Sequence, residues 1–131
     1  MDKSFESKIC NTFFGRRSNE RLYYELTSKK RSEFFHKMSH TAEWYLGDCV
    51  LKQYKMPLDI DGILNFLNDD QCYFITSYKN FDGDYFNTSD VLDHIWSNGM
   101  PYMVINRECK RAYLETEYDF SEHTSFLLKS H

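Results

Sequence analysis

The side chains able to do chemistry are plentiful in this chain but poorly grouped. His36 and His40 stand four residues apart in H-K-M-S-H, the spacing that brings two imidazoles to one helix face. Zinc peptidases place a glutamate directly after the first histidine as general base; here that position holds Lys37, so the pair reads as two surface histidines. D-I-D-G (Asp59 to Gly62) and D-G-D (Asp82 to Asp84) echo fragments of a calcium loop. That loop needs D-x-D-x-D-G and a glutamate at its twelfth position, and neither glycine falls at the sixth place, so a helix cap and a turn account for both. Asp82, Asp84, Asp90 and Glu115 are the carboxylates from which a divalent-metal nuclease would be drawn, and no spacing ties them together. The chain carries no G-x-S-x-G, no P-loop and no G-x-G-x-x-G. Cys10, Cys49, Cys72 and Cys109 are isolated, which disfavours a structural zinc and suits reduced thiols, with Cys49 and Cys72 as small buried hydrophobes. The densest basic cluster, Lys29-Lys30-Arg31, reads as the solvated first turn of an amphipathic helix. These observations predict no catalytic residue, no metal and no cofactor.

One segment points to recognition instead. In R-A-Y-L-E-T-E-Y-D-F, strand alternation puts Arg111, Tyr113, Glu115 and Glu117 on one face and Ala112, Leu114 and Thr116 on the other. Tyr118, Asp119 and Glu122 continue the acidic and aromatic character into the following loop. Carboxylates interleaved with tyrosines suit a protein-binding surface, since tyrosine joins contact area to a hydrogen-bonding hydroxyl. The expected partner-binding residues are therefore Tyr113, Glu115, Glu117, Tyr118, Asp119 and Glu122, with Asp82, Asp84 and Tyr85 as a second acidic tip.

The elements that would position these residues follow from periodicity. Residues 1–17 lack a clear period and are expected to be loosely ordered, although Phe5, Ile9, Phe13 and Phe14 form a short stripe before Gly15. Asn19 opens a short helix, and Thr27 or Ser28 caps a longer one over 28–46, with Phe34, Phe35, Met38, Ala42, Tyr45 and Leu46 at helical spacing. Asp59 caps a third helix carrying Ile60, Ile63, Leu64 and Leu67, and Asn87-Thr88-Ser89 caps another over 88–98. Strands are expected at 72–78, 102–106, 110–117 and 124–129. The reading is an α+β fold, one domain over 1–131, with N-terminal helices on a small, mostly antiparallel sheet in the order α-α-α-β-α-β-β-β.

Composition sets the outer bounds. In 131 residues, 41% are hydrophobic, 27% charged and 18% aromatic, which excludes disordered, collagenous and coiled-coil classes. No apolar run approaches the roughly 18 residues of a membrane span, and the N-terminus has no signal-peptide core, so a cytoplasmic location is expected. Residues 1–56 hold 11 Lys and Arg against 7 Asp and Glu, while residues 57–131 hold 5 against 13. An acidic protein is poorly suited to nucleic acid and well suited to a basic protein partner, whose approach opposite charge accelerates.

The ordered motifs S-K-K-R-S-E-F-F-H-K, C-Y-F-I-T-S-Y, D-G-D, N-G-M-P, R-A-Y-L-E-T-E and S-F-L-L-K, spanning about residues 26–129, resemble a group of small bacterial proteins of unassigned function. That group shows a K-K-R-x-x-F helix, a C-Y-x-I-S-type strand, a D-G turn, a G-M/G-x-P step and an A-Y-x-E strand. By size, acidity and class the chain also resembles the immunity proteins that bacteria encode beside secreted toxins. That resemblance implies a non-enzymatic inhibitor that occludes the active site or substrate groove of a cognate, basic, nuclease-type toxin. The alternatives are a small metal-dependent hydrolase or nuclease, and a regulatory binding protein of a mobile element.

Overall fold

A computed structural model describes residues 1–118 and 123–131. Four helices come first, α1 (Lys3–Phe13), α2 (Asn19–Thr27), α3 (Arg31–His40) and α4 (Ala42–Tyr45). They are followed by β1 (Val50–Tyr54), α5 (Ile60–Leu67), β2 (Gln71–Thr76), β3 (Asp84–Asn87), α6 (Thr88–Ile95), β4 (Tyr102–Asn106), β5 (Arg111–Glu115) and β6 (Ser125–Lys129). The six strands form one sheet in the order β1-β6-β5-β4-β2-β3, every neighbouring pair antiparallel. The fold is α+β, as the residue pattern predicts.

Helices cover both faces of this sheet. Tyr73, Ile75, Met103, Ile105, Ala112, Leu114, Phe126 and Leu128 share a core with Phe5, Ile9 and Phe13 of α1, Leu22 and Leu26 of α2, and Phe34 and Met38 of α3. On the opposite face Cys72, Phe74, Tyr102, Val104, Tyr113 and Leu127 pack with Ile63 and Leu67 of α5 and Val91, Leu92 and Ile95 of α6. Antiparallel sheets commonly leave one face to water, and then alternation separates inside from outside. Here both alternating sets are inside, and β4 is buried at all five positions.

The N-terminal stripe forms α1, with Asp2 as cap: its Oδ1 accepts from the Phe5 amide at 2.9 Å. Asn19 is the first residue of α2, which has Ser18 in the cap position. The long helix expected over 28–46 is two. Thr27 ends α2, Ser28 accepts from the Lys30 amide, and α3 starts only at Arg31. Thr41 leaves helical geometry at φ −130° and ψ 24°, and its hydroxyl donates back to the Lys37 carbonyl, so the chain turns before α4. This is the local competition by which threonine weakens a helix interior. Helix α6 stops at Ile95, short of 98: Trp96 leaves helical geometry at ψ 129°, and Ser97 follows with a left-handed φ of 56°.

Two strands escape the periodicity. β1 is exposed along nearly its whole length, so it has no buried face to create alternation. β3 follows the Asp82-Gly83 turn, where Gly83 has φ 77° and its amide donates to the Phe74 carbonyl at 2.8 Å, and pairs with β2.

Candidate functional site

Tyr113 and Glu115 are fully buried, which overturns their assignment to an exposed face. Their face of β5 meets α5 and the second core. Glu115 Oε1 accepts from the hydroxyls of Tyr102 at 2.9 Å and Tyr113 at 2.8 Å. Its Oε2 accepts from the Ser97 amide at 2.9 Å and lies 3.3 Å from His123 Nε2. Four polar groups thus surround one buried carboxylate, although burial still raises its pKa, opposed by the two tyrosine hydroxyls. Burial raises both tyrosines as well, and the adjoining carboxylate adds to it. The unusual backbone of Ser97 is part of this arrangement, since it aims the amide at Glu115.

The other expected binding residues separate. Glu117 is partly exposed, pairs with His40 Nε2 at 2.8 Å and donates its amide to the Ser39 carbonyl. Tyr118 is 65% exposed; its amide bonds the Gly99 carbonyl just beyond α6, and its ring meets His123 edge-on. Asp119 and Glu122 lie outside the described residues. Asp84 is exposed, with its Oδ1 accepting from the Tyr85 amide, whereas Tyr85 is half-buried against Phe5 and Tyr73 and donates to Asp2 at 3.1 Å. Burial and Asp2 push the Tyr85 phenol up to about 12.

Asp82 is not a free acidic tip. Arg31 donates from Nε to Asp82 Oδ2 at 2.7 Å and from Nη2 to Oδ1 at 2.8 Å. The same guanidinium grips Glu6 of α1 at 3.1 and 3.0 Å and the Leu26 carbonyl at 2.7 Å. Glu6 is fully buried and also accepts from the Tyr73 hydroxyl at 2.6 Å. Arg31 is therefore a structural tie between α1, α3 and the turn before β3, not part of a solvated basic face. No spacing in the sequence joins Glu6, Arg31, Tyr73 and Asp82; only the fold does.

The nuclease carboxylates do not converge: Asp82 faces Arg31, Glu115 sits in the second core, and Asp90 is exposed on α6. Among the described residues no group of three or more His, Cys, Asp or Glu is placed to hold a metal ion. Asp59 caps α5, accepting from the Gly62 amide at 2.7 Å. All four cysteines are buried free thiols, and desolvation pushes Cys10 and Cys72 to about 12 and Cys49 to about 11. Such thiols stay protonated at neutral pH and are poor nucleophiles.

The strongest surface feature was legible only as a half-chain charge imbalance. The layer formed by α5, α6 and their flanks carries Asp59, Asp61, Asp69, Asp70, Asp90 and Asp93, and neither 57–70 nor 88–99 contains a lysine or arginine. Asp59, Asp61, Asp70, Asp90 and Asp93 are exposed. Arg107, from the turn after β4, clamps Asp69 at 2.6 and 3.0 Å and reaches Asp70 at 3.5 Å, so Asp59, Asp61, Asp90 and Asp93 are the exposed aspartates of the layer away from it. A shallow cleft of about 470 Å³ lies there, lined by Leu64, Asn68, Asp69, Asp70, Asn87, Ser89 and Arg107. Tyr118, tied to Gly99, stands at the end of α6. Comparison with known protein families, characterised proteins and solved structures found no match.

Proposed function

We propose that this chain is a non-enzymatic inhibitor of the immunity type, which binds a basic, nuclease-type toxin and covers its active site or substrate groove. The observation that carries this reading is the α5–α6 layer: five exposed aspartates on one side of the sheet, with no lysine or arginine in those helices. A groove built to receive phosphates is lined by cations, and a surface of fixed carboxylates can occupy it in their place. Such a surface speeds encounter, and close charge pairs across an interface couple by about 1.5–7 kcal/mol. Tyr118 at the end of α6 adds an exposed ring of the type that anchors interfaces. The binding face proposed here is accordingly the α5–α6 layer in place of the β5 strand, with Tyr118 at its margin.

The test is recovery of the chain from its native operon at low salt, with mass spectrometry of whatever accompanies it. The expected result is a stoichiometric basic protein that is released by salt and toxic when expressed alone. A stoichiometric acidic partner, or metal-dependent cleavage of RNA or DNA by the purified chain itself, would overturn the proposal.

A further inference from the structure

The net charge of the chain disfavours nucleic acid, but the fold divides that charge between two layers, and the layer opposite the aspartates is cationic. Residues 14–46 hold seven Lys and Arg against four Glu. Arg31 and Glu25 are spent inside the fold, which leaves six cations to three carboxylates, Glu20, Glu33 and Glu43. Arg16, Arg17, Lys29 and Lys30 are exposed, and none of them pairs with a carboxylate among the described residues.

Part of this charge is gathered around aromatic rings. The buried Glu25 accepts through Oε2 from Arg21 Nε at 3.1 Å and from Lys37 Nζ, which fixes one cation on α2 and one on α3. The Arg21 guanidinium lies 5.2 Å from the centre of the Tyr24 ring, and the Lys37 ammonium 5.7 Å from that of Tyr45. The Gly15 amide donates to the Tyr45 carbonyl at 2.9 Å, which brings the Arg16-Arg17 turn to the end of α4. Next to Tyr45, Trp44 is 72% exposed, more than any other large apolar side chain among the described residues, and Tyr24 is 48% exposed. An indole left this far in water adds nothing to the core.

We propose that this face of α2–α4 binds single-stranded nucleic acid, with Arg16, Arg17, Arg21 and Lys37 on phosphates and Trp44 and Tyr24 stacked on bases. The mixture of cations and exposed rings selects the occupant. A single strand alternates fixed negative charge with flat apolar faces, and a basic surface set with aromatic rings answers both. A duplex hides those faces within its stack, and carboxylates alone supply the charge without them. An anionic membrane calls for a cluster of apolar side chains, where here one indole stands among charges. The α5–α6 layer lies across the sheet, so this site is independent of the partner proposed above.

Fluorescence anisotropy of labelled single strands, one DNA and one RNA of the same mixed sequence, tests this with the purified full chain. The expected result is saturable binding at low salt, with log K falling linearly as log salt rises. Arg16→Glu/Arg17→Glu should weaken binding about tenfold or more and flatten the salt dependence. Trp44→Ala, which removes no charge, should weaken it about tenfold with the salt dependence unchanged. All three residues are exposed, and circular dichroism serves as the folding control. Binding of one strand and not the other supports the proposal and names the sugar that is read. No saturable binding of either at low salt, or a Trp44→Ala variant that binds as wild type does, would overturn it. So would polyglutamate or anionic phospholipid vesicles that displace the label as well as an unlabelled strand does.

Discussion

Arg31 commits all five of its N–H donors inside the fold, to Asp82, Glu6 and the Leu26 carbonyl. Removing one partner of such a group leaves buried charges without compensation. Arg31→Met should therefore cost about 3–5 kcal/mol, read as a lower midpoint in urea unfolding; a loss within about 0.5 kcal/mol would show that Glu6 and Asp82 do not need it. Glu115 gives a prediction in pH. Its folded pKa is raised above the ordinary 4.5, so the folded state holds this proton more tightly than the unfolded state. The resulting contribution is complete below the unfolded value and is lost as pH rises through the folded one. Wild-type stability minus that of Glu115→Gln should accordingly shrink as pH rises from 4.5 toward neutrality. A difference that holds constant or grows would contradict a raised value. Residue types announced neither network. Arg31 sits in a run of cations that looks solvated, and Glu115 sits in an alternating strand that looks half-exposed.

At the scale of elements, what was legible had a local cause. Asp59 and Asn87 cap α5 and α6 as their positions suggest, with side-chain oxygens accepting from the amides of Gly62 and Asp90. Replacing either with alanine should cost about 1 kcal/mol in chemical denaturation, and no measurable cost would remove the caps from the account. Gly83 was likewise readable as a turn residue, and two effects add at that position: φ is 77°, and a Cβ would fall 2.4 Å from Met1 Cγ. Gly83→Ala should destabilise by about 1 kcal/mol or more, partly relieved if Met1 moves aside. The split at Thr41 was illegible because the apolar stripe continues in register across the break, through Met38, Ala42 and Tyr45. β1 was illegible for the opposite reason, since an exposed edge strand has no apolar face to betray it. The errors at β5 share one origin: a second helical layer buries the face that alternation assigns to water.

At the scale of the molecule, the charge difference between the chain's halves becomes a difference between layers. Residues 1–46, which hold α1–α4 and their connections, carry nine of the 16 Lys and Arg and cover one face of the sheet, while α5 and α6 with their flanking aspartates cover the other. The sequence showed the imbalance, but which acidic residues share a surface depended on the strand order. The most direct test of the central claim is the association rate between this chain and the protein recovered with it, at low and moderate salt, for wild type and the double variant Asp61→Lys/Asp93→Lys. Both aspartates are exposed on the α5–α6 layer, so circular dichroism should report an unchanged fold. The double variant should associate about tenfold more slowly at low salt, and moderate salt should narrow the gap. An unchanged rate at low salt in a folded double variant would contradict it.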